Sequence, residues 1–274
     1  MSTTTTPTVD LAAVKARQQA AWASGDYARV AARIPVVSEL LCDRAGLEAG
    51  ARVLDVAAGS GNTSIAAARQ GCEVVGIDYV PELLARARRR AEAEGLPVEL
   101  VEADAERLPF ADGSFDAVVS VFGAMFAPDQ PAAAAELVRV CRPGGTIAMA
   151  NWTPGGFIGR LFSAITAYLP PPPGLRSPMR WGRPDEVREL LGPGVRVETR
   201  ERTYTWRSHS AEEFTAFFAT HYGPALKALA ALEPEAADML RADMVALADE
   251  AGARTGRGSI AIPAGYLEVV ATVA

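Results

Sequence analysis

"VLDVAAGSGNTS", Val53 to Ser64, is an apolar run that breaks into a glycine pair and then into Asn-Thr-Ser. It reads as a strand, a tight loop and the first turn of a helix. A Gly-x-Gly loop in that place holds a dinucleotide, a nucleoside or nothing, so its neighbours decide. Against the dinucleotide pattern G-x-G-x-x-G the stretch supplies Gly59 and Gly61, but Ser64 stands where the third glycine belongs. The phosphate-loop pattern is absent as well, since no lysine lies within the loop.

Outward from the loop, "RVLDVA", "EVVGID", "VELVEA", "FDAVVSV" and "GTIAMA" punctuate the chain from Arg52 to Ala150, with helical segments between them. In "PELLARARRRAEAEG", Pro81 starts a helix, Leu83, Leu84, Ala87 and Ala91 share one face, and Gly95 stops it. Such alternation predicts an α/β fold, a parallel sheet with helices on both faces. Upstream, Leu11, Val14, Ala21 and Trp22, then Ile34, Val37, Leu40 and Leu41, recur at helical spacing and predict two helices.

Downstream, "YLPPPPGLRSPMRWGRP" (Tyr168 to Pro184) is too rich in proline for helix or central strand. "VRVETRERTYTW" alternates like an edge strand, a helical tract runs from Ala211 to about Gly252 with Leu240, Met244 and Leu247 on one face, and "YLEVVATVA" closes the chain as a strand. A last strand so separated from the previous one is expected to pair antiparallel with it. The helical insertion then lies above the strand ends, where open α/β sheets bind ligands.

The 274 residues are 49% hydrophobic, enough for one large core, and the formal net charge is −6. Lysine and arginine are dispersed, which argues against nucleic acid as a partner. Cys42, Cys72 and Cys141 lie far apart, fitting neither a disulfide framework nor a zinc site, so no metal is expected. "MSTTTTPTVD" lacks a basic segment followed by an apolar one, and no run of 18 apolar residues occurs, so a cytoplasmic protein without a membrane span is expected.

Three carboxylates sharpen the question. Asp55 lies four residues before Gly59, under the loop, where it repels a pyrophosphate and attracts a cation. Asp78 ends the second strand, the place from which a carboxylate reaches both ribose hydroxyls. Asp104 follows the third strand and can accept from an exocyclic amine such as that of adenine. Each alone also reads as a helix cap. An adenosine with a cationic amino-acid tail, S-adenosylmethionine, satisfies all three.

"VLDVAAGSGNTS", "VVGIDYVPELLARAR", "VEADAERLPFADGSFDAVVSVFGAMF" and "ELVRVCRPGGTIAMANW" together resemble the ordered motifs of class I S-adenosylmethionine-dependent methyltransferases. Within that class they are similar to the group containing the quinone-biosynthesis C-methyltransferases and many small-molecule methyltransferases. The resemblance spans Arg52 to Trp152 and implies a Rossmann-like seven-stranded, mostly parallel sheet with an antiparallel C-terminal strand. It implies that Asp55, Ala57, Gly59 and Gly61 surround the methionine part, with Asp55 acting through water. Asp78 is then expected to hold the ribose and Tyr79 to flank the adenine, with Asp104 and Ala105 at the adenine edge. Val121 and Phe122 are expected at the methyl-bearing end, and Trp22 and Tyr27 fold over the cofactor or pack in the core. One departure is Ala57, where the family often has glycine.

On this reading residues 1–45 are N-terminal helices covering the cofactor, 46–206 with 264–274 form the core, and 207–263 form a helical lid that binds the acceptor. The protein is expected to methylate an O, N or C atom of a small molecule, as a monomer or homodimer. It releases S-adenosylhomocysteine and uses no membrane or nucleic-acid partner. In "FTAFFATHYGP", Phe214, Phe217, Phe218 and His221 fall on one helical stripe, which makes His221 a candidate base or a core histidine. Arg86, Arg88, Arg89 and Arg90 read as a solvated helix face, and Arg176, Arg180 and Arg183 as loop charges or an anion grip. An NAD(P)-dependent oxidoreductase and a non-catalytic S-adenosylmethionine-binding protein remain alternatives.

Overall fold

The computed structural model describes residues 9–274. Its sheet is built from β1 (Arg52–Val56), β2 (Glu73–Asp78), β3 (Val98–Glu102), β4 (Phe115–Val121), β5 (Cys141–Trp152), β6 (Val195–Ser208), the two-residue β7 (Ala253–Arg254) and β8 (Ile260–Val273). Seven of them run in the order β3-β2-β1-β4-β5-β8-β6, with β7 paired to β8 off that path. β1 to β5 are parallel neighbours, and β8 inserts antiparallel between β5 and β6. The eighth strand is the one addition to the expected seven.

The closing strand pairs with β6 from Val195↔Val273 to Ser208↔Ile260. It therefore starts before 264, and β6 runs past 206, so the insertion is shorter at both ends than the sequence implied. Ile260 and Ile262 are fully buried, and their apolar alternation extends the strand. β3 and β6 form the edges, and the alternating charges of β6 suit that position.

Helices α4 (Asn62–Arg69), α5 (Pro81–Ala93) and α6 (Gln130–Val140) are the crossovers of the parallel half. Three helices, not two, precede β1: α1 (Leu11–Trp22), α2 (Tyr27–Ala31) and α3 (Pro35–Ala45). Ile34, Val37 and Leu41 are buried as expected, but Leu40 is 53% exposed, because the chain breaks before Pro35 and the stripe turns with it. Periodicity did not reveal α7 (Phe157–Tyr168) and α8 (Pro184–Leu191).

The proline-rich stretch between them is anchored, not open. A 3₁₀ turn at Pro178–Gly182 buries Trp181 completely, and Gln130 on α6 donates to the carbonyls of Arg176 and Ser177. Arg180 is paired with Glu186 and Glu189.

The insertion forms α9 (Ala211–His221), α10 (Gly223–Ala231) and α11 (Pro234–Ala251). Phe214 and Phe218 stack on one another and pack edge-on against Trp206 of β6, so the apolar stripe of α9 joins the main core. All three cysteines are free and buried. Among the described residues no helix is long and apolar enough to cross a membrane, and no cluster of metal-ligating side chains occurs.

Candidate active site

The chain leaves β1 for β2 in one direction and reaches β4 in the other, so the carboxyl ends of β1 and β4 flank a crevice at the reversal of strand order. A cleft of about 950 Å³, mouth included, occupies that crevice. Residues just beyond four strands line it: Ala57 to Ser60 after β1, Asp78 and Tyr79 at the end of β2, Ala103 to Glu106 after β3, and Val121 to Gly123 at the end of β4. The opposite wall comes from α1 to α3, through Lys15, Trp22, Tyr27, Ile34 and Ser38.

The glycine loop owes its shape to left-handed backbone at three places. Gly59 has φ +56° and Gly61 φ +85°, conformations that suit glycine. Ala57 adopts φ +58° with a side chain present, at a cost of roughly 1–2 kcal/mol. Its partner in that strain is Gly123: a Cβ there would lie 2.6 Å from the Ala57 carbonyl oxygen and 2.7 Å from its Cβ. The alanine that departs from the family pattern is thus matched by a glycine across the loop. Phe122, at φ +55°, is the other strained residue, held by its N–H to Ala150 and by stacking on Trp152 at 3.6 Å. Ser120 ties the two strand ends together, donating to the Val56 carbonyl and accepting from the Ala124 N–H.

The two glycines have different roles. Gly59 faces the cleft, with the Tyr27 ring 3.8 Å from where its Cβ would be. Gly61 faces away; a Cβ there would come within 2.9 Å of Ala87 on α5, so this glycine permits the loop to seat against the helix. Gly61 and Asp55 lie outside the cleft lining.

Asp55 is 1% exposed; its Oδ2 accepts from the Ser64 hydroxyl at 2.6 Å, and its Oδ1 has no partner among the described residues. Burial pushes its carboxyl up to about 7 against the Ser64 hydrogen bonds, and the charge on Asp78 pushes the same way. Asp78 lines the cleft with Oδ2 accepting from the Gly59 N–H at 2.8 Å and Oδ1 from the Val80 N–H at 2.9 Å. Its carboxyl is pushed up to about 6 by burial, which these bonds and one from Tyr79 oppose. A carboxylate has about four acceptor sites, so lone pairs remain for a ligand's hydroxyls.

Asp104 and Ala105 line the far end of the cleft. Asp104 is already paired, through Oδ2, with Lys15 at 2.5 Å, and Lys15 also pairs with Glu106. Burial lowers the Lys15 pKa, but its bonds to both carboxylates outweigh that and leave it raised. Gln19 donates to the Tyr79 carbonyl, so α1 is laced across the ends of β2 and β3. Lys15, Gln19 and Trp22 recur at helical spacing, a signal overshadowed by the apolar residues of the same helix.

Trp22 meets Tyr27, Phe126 and Tyr222 edge to face at 5.3, 5.1 and 5.6 Å. Trp22 and Tyr27 therefore both line the cleft and belong to an aromatic cluster. The Tyr27 phenol is pushed up to about 12 by burial and then by the charge on Asp78, so it stays protonated near neutral pH. Val121, Phe122, Ala124, Phe126 and Pro128 make the other end of the cleft apolar.

His221 is not brought to the cleft. It ends α9, its ring 4.9 Å from Phe217, which lies under the Arg33 guanidinium. No residue of 207–263 lines the cleft; the insertion instead backs the N-terminal helices, with Tyr222 against Trp22. His209, Arg176 and Arg183 are exposed or half-exposed and also lie away from it.

The profile of a methyltransferase domain matches residues 54–149. Among similar proteins, the uncharacterized protein Rv1405c of Mycobacterium tuberculosis is 44% identical over 234 residues, 82% of this chain and 84% of that one. The demethylmenaquinone methyltransferase of Thermus thermophilus is 47% identical over 105 residues, 38% of this chain and 48% of that enzyme. Among solved structures, the YcgJ protein of Bacillus subtilis shares the fold with TM-score 0.59 at 20% identity, covering 86% of this chain and 97% of that one. A geranyl diphosphate methyltransferase solved with S-adenosylmethionine has TM-score 0.53 at 19% identity, covering 88% of this chain and 85% of its own. With the strand order and the motif residues at the four strand ends, these matches place the chain in the class I S-adenosylmethionine-dependent methyltransferase family.

Proposed function

We propose that this protein transfers a methyl group from S-adenosylmethionine to a small, largely apolar acceptor and releases S-adenosylhomocysteine. The carrying observation is one cleft that joins a polar end, with Asp78 and Asp104 at the ends of successive strands, to an apolar end at Phe122 and Phe126. In this reading Asp78 accepts from the ribose hydroxyls, Asp104 and Ala105 border the adenine, and Tyr79 flanks it. The unpartnered Oδ1 of Asp55, just beneath the cleft, fits an ammonium reached through water, and its burial makes that cation a favourable neighbour. The backbone at Ala57 and Gly59 leaves room for the methionine part.

S-adenosylmethionine supplies an electrophilic methyl for in-line displacement at carbon. The chain supplies position and dryness: the acceptor must be held about 3–3.5 Å from the methyl in an apolar surround. Trp22, Phe122 and Phe126 provide that surround. Among the described residues the apolar end carries no carboxylate or imidazole, so His221 plays no part in this reading.

Titration calorimetry with S-adenosylhomocysteine and with NADH tests the cofactor. Binding of the nucleoside alone is expected; binding of NADH alone overturns the proposal in favour of an oxidoreductase. Labelled methyl transferred from the cofactor to a compound in an extract of the source organism is the corresponding test of turnover. If the cofactor binds but no label moves, the non-catalytic reading takes its place.

A further inference from the structure

Of the four arginines on α5, only Arg88 and Arg89 form an exposed face. Arg86 and Arg90, one turn apart, are half-buried and turn back toward the cleft. The Arg90 guanidinium donates to the Ser60 carbonyl and, at 2.8 Å, to Asn62 Oδ1. The Asn62 amide in turn donates to the Ala31 carbonyl at 2.8 Å. Arg86 pairs with Asp26, the residue that precedes α2. Both ends of the Asp26–Ala31 segment are therefore fastened to α5, one directly and one through Asn62 at the start of α4. That short segment carries Tyr27 over Gly59, and Ser60, Asn62, Tyr27 and Ala31 all line the cleft.

The helix itself explains little of this. α2 has five residues and no side-chain cap, too short to be stable unaided. Ala87, on the same helix, is where Gly61 seats. Arg90 has lost water, which lowers its pKa, and its hydrogen-bond partners are neutral oxygens, so its role is to hold geometry.

We propose that Arg86 and Arg90 are positioning residues that clamp the Asp26–Ala31 segment and the glycine loop into one wall, and that the clamp sets how tightly the nucleoside cofactor is held. The inference rests on the cofactor reading above, and two separate readouts distinguish their failures. Hydrogen exchange of the ligand-free protein reports the clamp alone. Arg90→Met is expected to speed exchange of the amides of residues 26–31 about tenfold, the scale of one lost charge-assisted hydrogen bond. Arg86→Met, which removes a partly exposed pair, gives a smaller increase of about twofold to threefold. Arg69→Met, which removes pairs to Glu39 and Glu94 on the far side of α4, leaves that segment unchanged.

Affinity for S-adenosylhomocysteine, measured well below each variant's melting temperature, follows the same order. Arg90→Lys keeps a donor for Ser60 and Asn62 and is expected to recover part of it, which a loss of global stability would not explain. Exchange at 26–31 that is the same in Arg90→Met and wild type overturns the clamp. A wild type that binds no S-adenosylhomocysteine overturns the cofactor reading instead, whatever the exchange shows.

Discussion

The sheet-side wall of the cleft is held by backbone geometry, whereas the opposite wall, from α1 to α3, is held by side chains that bridge it to the rest of the chain. On the sheet side, Asp78 takes two N–H groups, Ala57 and Phe122 sit in left-handed conformations, and Ser120 links two strand ends. On the helical side, Lys15, Gln19, Asn62 and Arg86 make the connections. A rigid strand end places a group within a fraction of an ångström once the sheet forms. A helical wall tied by ion pairs opens more cheaply, which suits a site that must admit and release a nucleoside.

That contrast breaks most visibly at Asp78. Asp78→Ala removes the acceptor for two buried N–H groups and, on the proposed reading, for the ribose, and affinity for S-adenosylhomocysteine is expected to fall at least about 100-fold by calorimetry. Gly123→Ala should come next, lowering stability in urea by about 1–3 kcal/mol because the new methyl meets Ala57. Adding Ala57→Gly should restore part of that loss, and simple additivity of the two changes would show that they do not share the strain.

The buried carboxylates give the sheet-side wall a pH dependence. Asp55 and Asp78 titrate in the folded chain at about 7 and about 6, above the ordinary carboxylate value. The native state therefore binds more protons than the unfolded one between pH 4 and about 7, and stability of the ligand-free protein falls as pH rises through that window. Asp55→Asn should flatten the profile in urea melts between pH 5 and pH 8. On the helical wall, Lys15→Met is expected to change affinity only about threefold, since its two pairs are partly exposed, and the change should shrink in high salt. His221→Ala should be the smallest, within about twofold of wild type, because His221 is half-buried against Phe217 and does not line the cleft.

The legible part of the cleft is the part built from short-range chemistry. Asp78 and Asp104, which line it, and Asp55, buried beside it, are each within a few residues of a strand end, and strand, turn and helix signals located those ends. Gly61 was legible as a glycine but not as a packing position, because its neighbour Ala87 lies 26 positions away and touches it only after α4 and α5 are laid on the sheet. Arg90 read as one of four similar charges, and its burial depends on where the loop comes to rest. The insertion read as a lid because its place in the order of elements puts it near the strand ends. It backs the N-terminal helices instead, since Phe214 and Phe218 find Trp206 and the core before they reach the cleft.

By itself, the sequence determined the alternation of strands and helices, the loop after β1 and the three carboxylates, because period and turn chemistry act over a few residues. Only the tertiary structure decided that β8 lies between β5 and β6, that Ala57 answers Gly123, and that α1 and α2 form the second wall. Those outcomes depend on contacts between residues 25 or more positions apart, which chain closure and packing select and no local pattern encodes.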